Sequence, residues 1–152
     1  DAGASAYQLF DSWAGNLTRD QYRDAVLPHS AHVISELKRS HPHAPSIHFG
    51  VGCDHLLELM HSAGATVIGL DWRTSIADAR MRLGKDTIVQ GNLDPSLVQS
   101  DVATALAGAD TVLADNANHP GHIFNLGHGV TPGVNPDVLA AVVQHVHERT
   151  KA

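Results

Sequence analysis

An α/β fold of repeated βα units around a parallel sheet is predicted by three features of the 152-residue sequence. Short apolar runs alternate with longer amphipathic stretches, polar or glycine residues follow the apolar runs, and helix-start signals recur between them. Helices that repeatedly follow strands imply right-handed crossovers, and polar strand ends fit either an open doubly wound sheet or a (β/α)8 TIM barrel. An open sheet would carry a Gly-rich phosphate loop after its first strand, and Phe10-Asp11-Ser12-Trp13-Ala14-Gly15 is not one. The barrel is therefore expected. Five units are five eighths of it, which leaves two strand edges and a helix-facing surface uncovered.

The first strand is placed at Ala4 to Phe10. Thr18, with Gln21 three residues later, is a capping box that opens the first helical stretch, Arg19 to Ser40, and Pro28 should kink or split that stretch. The second strand is Ile47 to Phe49. Ala63-Gly64-Ala65 precedes the third strand, Val67 to Leu70, and Ala2-Gly3-Ala4 precedes the first; such a glycine can end a helix in the left-handed conformation. Thr87 to Gln90 forms the fourth strand, Asn92 and Asp94 fall in the following turn, and Asp94 caps a helix with Pro95 in its first turn. A third Ala-Gly-Ala, Ala107 to Ala109, is expected to interrupt a helix running on toward Asn116. Ile123 to Leu126 is the fifth strand. Asn135-Pro136 opens a last helix, Pro136 to His147, that buries Val138, Leu139, Val142, Val143 and Val146.

Composition bounds the function. A chain 43% hydrophobic and 17% charged is long enough for one domain with a core and carries no sign of disorder. There is no apolar run of membrane length and no charged-then-apolar leader, so no membrane association is expected and a cytoplasmic location is the default. The single cysteine, Cys53, cannot form an internal disulfide or a clustered-cysteine zinc site. A net charge of −6, with ten Lys and Arg spread along the chain, argues against nucleic acid as a partner.

The most informative stretch is Gly121 to Val134, where an apolar run ends in Gly127-His128-Gly129. Glycines on both sides allow a tight turn and close approach of a ligand, so His128 is presented rather than packed. In a barrel the strand ends converge on one face, and Ser12, Asp71, Asn92 and His128 could line one pocket there. The Ser12 hydroxyl follows the first strand, where it can donate to a carboxylate; no Gly-x-Ser-x-Gly surrounds it, so it is not a nucleophile. Asp71, before Trp72, reads as a hydrogen-bonding brace for the next loop. His145 and His147 complement a helix C-terminus.

Four motifs together, Leu9-Phe10-Asp11-Ser12-Trp13, Gly69-Leu70-Asp71-Trp72, Gln90-Gly91-Asn92-Leu93-Asp94-Pro95 and Gly127-His128-Gly129, resemble the uroporphyrinogen decarboxylase family in sequence and order. The resemblance runs over nearly the whole chain and implies the C-terminal five or so βα units of that family's TIM barrel, with the N-terminal part absent. It implies decarboxylation of the four acetate side chains of uroporphyrinogen III to give coproporphyrinogen III, with no metal or organic cofactor. Protonation of a pyrrole carbon makes the substrate its own electron sink as carbon dioxide leaves, so the protein must grip carboxylates, deliver protons and stabilise ring charge. Carried over residue by residue, the resemblance makes Ser12 and His128 substrate-binding. It assigns the essential aspartate, a substrate-binding tyrosine and the gripping arginines to the N-terminal part, so no catalytic residue is expected here and the chain alone should be inactive. It implies a homodimer for the full-length enzyme. Two alternatives remain: a non-catalytic tetrapyrrole-binding piece, and a zinc-dependent corrinoid methyltransferase of the same superfamily. The second needs a histidine and a cysteine two residues apart. His48 is followed by Gly50 at that spacing, so no metal site is expected and His48 reads as a packed or pocket-wall residue.

Overall fold

The computed structural model describes residues 3–151. Five strands form one sheet: β1 (Tyr7–Phe10), β2 (Ser46–Phe49), β3 (Val67–Gly69), β4 (Ile88–Leu93) and β5 (His122–Leu126). Six helices alternate with them: α1 (Arg19–Ala25), α2 (Leu27–Ser40), α3 (Leu57–Ser62), α4 (Ile76–Leu83), α5 (Val102–Asn116) and α6 (Pro136–Arg149). Every strand pairs in parallel with its successor, in the order β1-β2-β3-β4-β5. That strictly sequential order belongs to a barrel; a doubly wound sheet reverses its order at a switch point. The sheet is also curled. Gln90 Nε2 on β4 donates to Gln8 Oε1 on β1 at 3.4 Å, across two intervening strands that would hold them about 14 Å apart in a flat sheet.

The two faces differ. On the helix side, Ile68, Leu70, Val89 and Leu93 pack with Ala105, Ala109 and Val112 of α5 and with Val138, Val142 and Val146 of α6. On the concave side one register row runs Phe10, Phe49, Gly69, Gln90, Ile123. Gly69 has no side chain because the Phe49 ring occupies the place a Cβ would take. Phe10 meets Phe49 edge to face at 6.0 Å, yet Phe10 is 61% and Ile123 43% exposed, so the concave face is uncovered among the described residues. The outer edges of β1 and β5 are likewise unpaired there.

Most element signals held. The Thr18–Gln21 capping box is formed from both sides, and the Arg19-to-Ser40 stretch splits at Val26, with Pro28 in the first turn of α2. Gly64 ends α3 at φ +90°; Ala2, in the first triplet, lies outside the described residues.

Four expectations are corrected. The fourth strand continues to Leu93, so Asn92 lies in β4 and not in a turn. Asp94 does not cap α5: it accepts from Ser96 N at 2.8 Å and shapes a turn ahead of a short 3-10 helix, Leu97–Gln99, and Asp101 caps α5 by accepting from Thr104 N at 2.8 Å. The reason is packing, because that detour buries Val98 and brings Leu97 against Gly108. Gly108 therefore does not interrupt α5; its missing side chain admits Leu93 and Leu97. In α6, Val143 is 56% exposed, since it faces a groove beside the open edge of β5 with Phe124, Val130 and Leu139.

At the N-terminal edge of the sheet, Arg80 of α4 is buried and donates to the carbonyls of Lys85, Thr87, Pro120 and Gly121 and to Asn116 Oδ1, all at 2.9–3.2 Å. It fastens the segments that enter β4 and β5. Its Nε has no partner among the described residues.

Candidate functional site

The C-terminal edge is built from the loops that leave the strands. After β1, Asp11 N donates to Phe49 O at 2.8 Å and prolongs the pairing with β2. The Asp11 carboxylate then turns to the helix side, where Oδ2 accepts from Tyr22 Oη (3.1 Å), Ser30 Oγ (3.2 Å) and His48 Nε2 (2.6 Å). His48 is fully buried and its Nδ1 meets Met60 O at 3.2 Å, so an acceptor at each nitrogen fixes the ring. Burial raises the Asp11 carboxyl, but the hydrogen bond and charge of His48, with the two hydroxyls, outweigh it and hold the group below its ordinary value. Burial and the Asp11 charge push the Tyr22 phenol up, so it stays a donor. Of the two readings for His48, the packed one is correct. With Asp11 committed to the helix side, Ser12 stands on an exposed turn, and its hydroxyl has no protein partner among the described residues.

At the other end of the sheet, Gly127 N donates to Leu93 O at 2.8 Å and carries the β4–β5 pairing past Leu126. A Cβ on Gly127 would collide with the Trp72 backbone. The glycine is needed for this contact with the β3 loop, and the same contact sets His128 against Trp72, ring centroids 6.1 Å apart and edge to face. His128 Nδ1 lies 3.4 Å from Gly129 O; its Nε2 has no partner among the described residues and the side chain is exposed. On Trp72 sits the Arg73 guanidinium, 3.9 Å from the ring centroid.

Asp71 is the brace expected of it. Its side chain is 2% exposed; Oδ2 accepts from Gly52 N (2.7 Å) and Arg73 Nη1 (2.9 Å), and Oδ1 from Arg73 N (3.0 Å). Asn92 is a second brace, donating Nδ2 to the carbonyls of Asp71 (2.8 Å) and Thr74 (2.5 Å). Neither offers a free polar group to a pocket. Of the four residues expected on one rim, Ser12 and His128 alone are presented, and Asp71 and Asn92 hold the loop between them.

Ser12 and His128 follow the two edge strands of the sheet, so they share the rim but stand at its lateral ends. A flat sheet would separate those ends by about 19 Å; the curl marked by Gln8 and Gln90 draws them inward. Arg73 is not one of the expected rim residues, although the sequence carries a signal for it. Among the loops that leave the C-terminal ends of the strands, Arg73 is the only Lys or Arg. Cys53 is buried beneath Gly50, and burial first, then Asp11 and Asp71, pushes its thiol up to about 12, so it is no nucleophile. His145 does not complement its own helix end: it pairs with Asp110 of α5 at 2.9 Å. Among the described residues no three His, Cys, Asp or Glu side chains gather as metal ligands, and no helix is long and apolar enough to cross a membrane.

Comparison with known proteins bears on the fold and on the family. A methyltransferase from Methanosarcina mazei superimposes with a TM-score of 0.84 over 99% of this chain and 44% of its own, at 18% identity, which speaks for the fold alone. The uroporphyrinogen decarboxylase of Salinispora tropica is 51% identical over 99% of this chain, and that of Nocardia farcinica 48% identical over 97%. The chain spans 40% of the first relative and 43% of the second, about two fifths of their length. The family model for uroporphyrinogen decarboxylase (URO-D) matches residues 1–149, and the chain belongs to that family.

Proposed function

We propose that the chain is the carboxylate-gripping, C-terminal part of an enzyme that decarboxylates the four acetate side chains of uroporphyrinogen III to methyl groups, yielding coproporphyrinogen III without a cofactor. The observation that carries this reading is family membership, in a chain whose two family-type binding residues, Ser12 and His128, are both presented on the C-terminal rim. The Ser12 hydroxyl donates to one substrate carboxylate and His128 Nε2 to another, each bond worth about 1.5–3 kcal/mol to a charged group. The substrate's own protonated pyrrole accepts the electrons left as carbon dioxide departs. The groups that face the pyrrole nitrogens come from the rest of the enzyme, in keeping with relatives more than twice as long. The 152 residues act as the C-terminal part of that enzyme's TIM-barrel domain, and the enzyme works as a cytoplasmic homodimer.

The purified chain alone should give no measurable turnover of uroporphyrinogen. In the longer enzyme, His128→Asn should lower kcat/KM for one or more of the decarboxylations. An unchanged value for every step would remove His128 from the site.

A further inference from the structure

An acidic macrocycle bound at this rim needs positive charge, and the rim supplies very little. The five strand-end loops contain Asp11, Asp54, Asp71, Asp94 and Asp101 but only one basic residue of fixed charge, Arg73. The acids are already engaged. Asp11 is tied to His48, Tyr22 and Ser30, and Asp54 to Arg82 at 2.8 Å, while Asp94 and Asp101 accept backbone N–H groups.

Arg73 differs from the other arginines in how it is held. Its own backbone N–H and its Nη1 are both fixed by the buried Asp71, and its guanidinium sits over the Trp72 ring, so the fork is oriented before any ligand arrives. Nε and Nη2 have no partner among the described residues, and the side chain is 55% exposed. The Arg73 guanidinium sits over the Trp72 ring and the His128 ring stands edge to face with the same ring, which places the guanidinium within roughly 10 Å of the imidazole. That separation suits two carboxylates of one macrocycle.

We propose that Arg73 is a further substrate-binding residue, whose free Nε–Nη2 edge takes a second carboxylate beside the one held by His128. The assignment rests on the tetrapyrrole reading given above and adds to it a charge-selecting contact. It makes the rim favour the macrocycle with more carboxylates.

Fluorescence titration of the longer enzyme that contains this chain with uroporphyrin (eight carboxylates) and coproporphyrin (four) tests this at several salt concentrations, with unfolding curves to check each variant. Arg73→Gln should weaken uroporphyrin about five- to tenfold, weaken coproporphyrin less, and make the salt dependence shallower. Arg73→Lys, which keeps the charge and loses the planar fork, should recover part of the loss. Equal uroporphyrin affinity in the unaltered enzyme and Arg73→Gln, with His128→Asn still impaired, overturns the role of Arg73 and leaves the broader reading standing. An equal loss for both macrocycles with unchanged salt dependence also overturns it. No saturable binding of either porphyrin by the unaltered, folded enzyme removes the tetrapyrrole reading, and this assignment with it.

Discussion

Asp71→Asn isolates the brace on which the His128 end of the rim depends. The carboxylate receives three N–H donors and offers none, whereas the amide keeps one oxygen and turns an NH2 toward a donor that has lost its acceptor. If the remaining oxygen stays with Gly52 N, the Arg73 backbone N–H faces another donor; if it flips, Gly52 N does. An unsatisfied buried N–H costs about 1–3 kcal/mol, and the lost charge on the Arg73 contact adds less than about 1 kcal/mol, since that side chain is 55% exposed. A destabilisation of about 1–4 kcal/mol follows, which lowers Tm by about 2–16 °C in a chain of this size. Urea unfolding followed by circular dichroism, with the midpoint read at constant slope, measures it. Arg73→Gln provides the comparison, because it removes the exposed partner and leaves the buried acceptors satisfied; its shift should stay under about 1 kcal/mol. Equal midpoints for Asp71→Asn and the unaltered chain would refute the assignment of Asp71 as a buried acceptor.

Two further outcomes are expected. Gly127→Ala drives a Cβ into the Trp72 backbone, so it should cost about 1–3 kcal/mol in unfolding experiments and displace the His128 ring resonances in NMR spectra; an unshifted His128 would disconnect that contact from its placement. Burial, with a smaller contribution from the Arg80 charge, holds His122 below its ordinary 6.5. The unfolded chain therefore takes up a proton that the folded chain refuses, and stability, full above about pH 6.5, should fall as pH drops below it. The fall should be shallower in His122→Asn, and an identical slope in both proteins would sink this account.

Much of the fold was legible because its determinants are local. Thr18 with Gln21, Pro28 and Gly64 each act within a turn of their own position, and the structure uses each as the sequence implied. The errors came where distant packing overrode a local signal. Asp94-Pro95 looks like a helix start, but burial of Val98 and contact of Leu97 with Gly108 delay α5 to Val102. Val143 fits an amphipathic stripe, yet no described element covers that face of α6. The candidate site was half visible. His128 stands out through its flanking glycines, whereas Ser12 is singled out only by the family resemblance of the motif around it. The Arg73–Trp72–His128 stack joins loops more than fifty residues apart, and sequence neighbours reveal nothing of it. Gly127 was read as freedom for a ligand; its actual neighbour is Trp72, a distinction that only the register of β4 and β5 could supply.

The five acceptors gathered around Arg80 have a consequence at the far end of the molecule. Rigidity concentrated beneath the entry points of β4 and β5 acts as a foundation, so the loops above can change sequence without the strands losing their alignment. Mutational damage should accordingly divide by altitude: lesions at the base yield protein that fails to accumulate, and lesions at the summit yield protein that accumulates and fails to recognise its ligand.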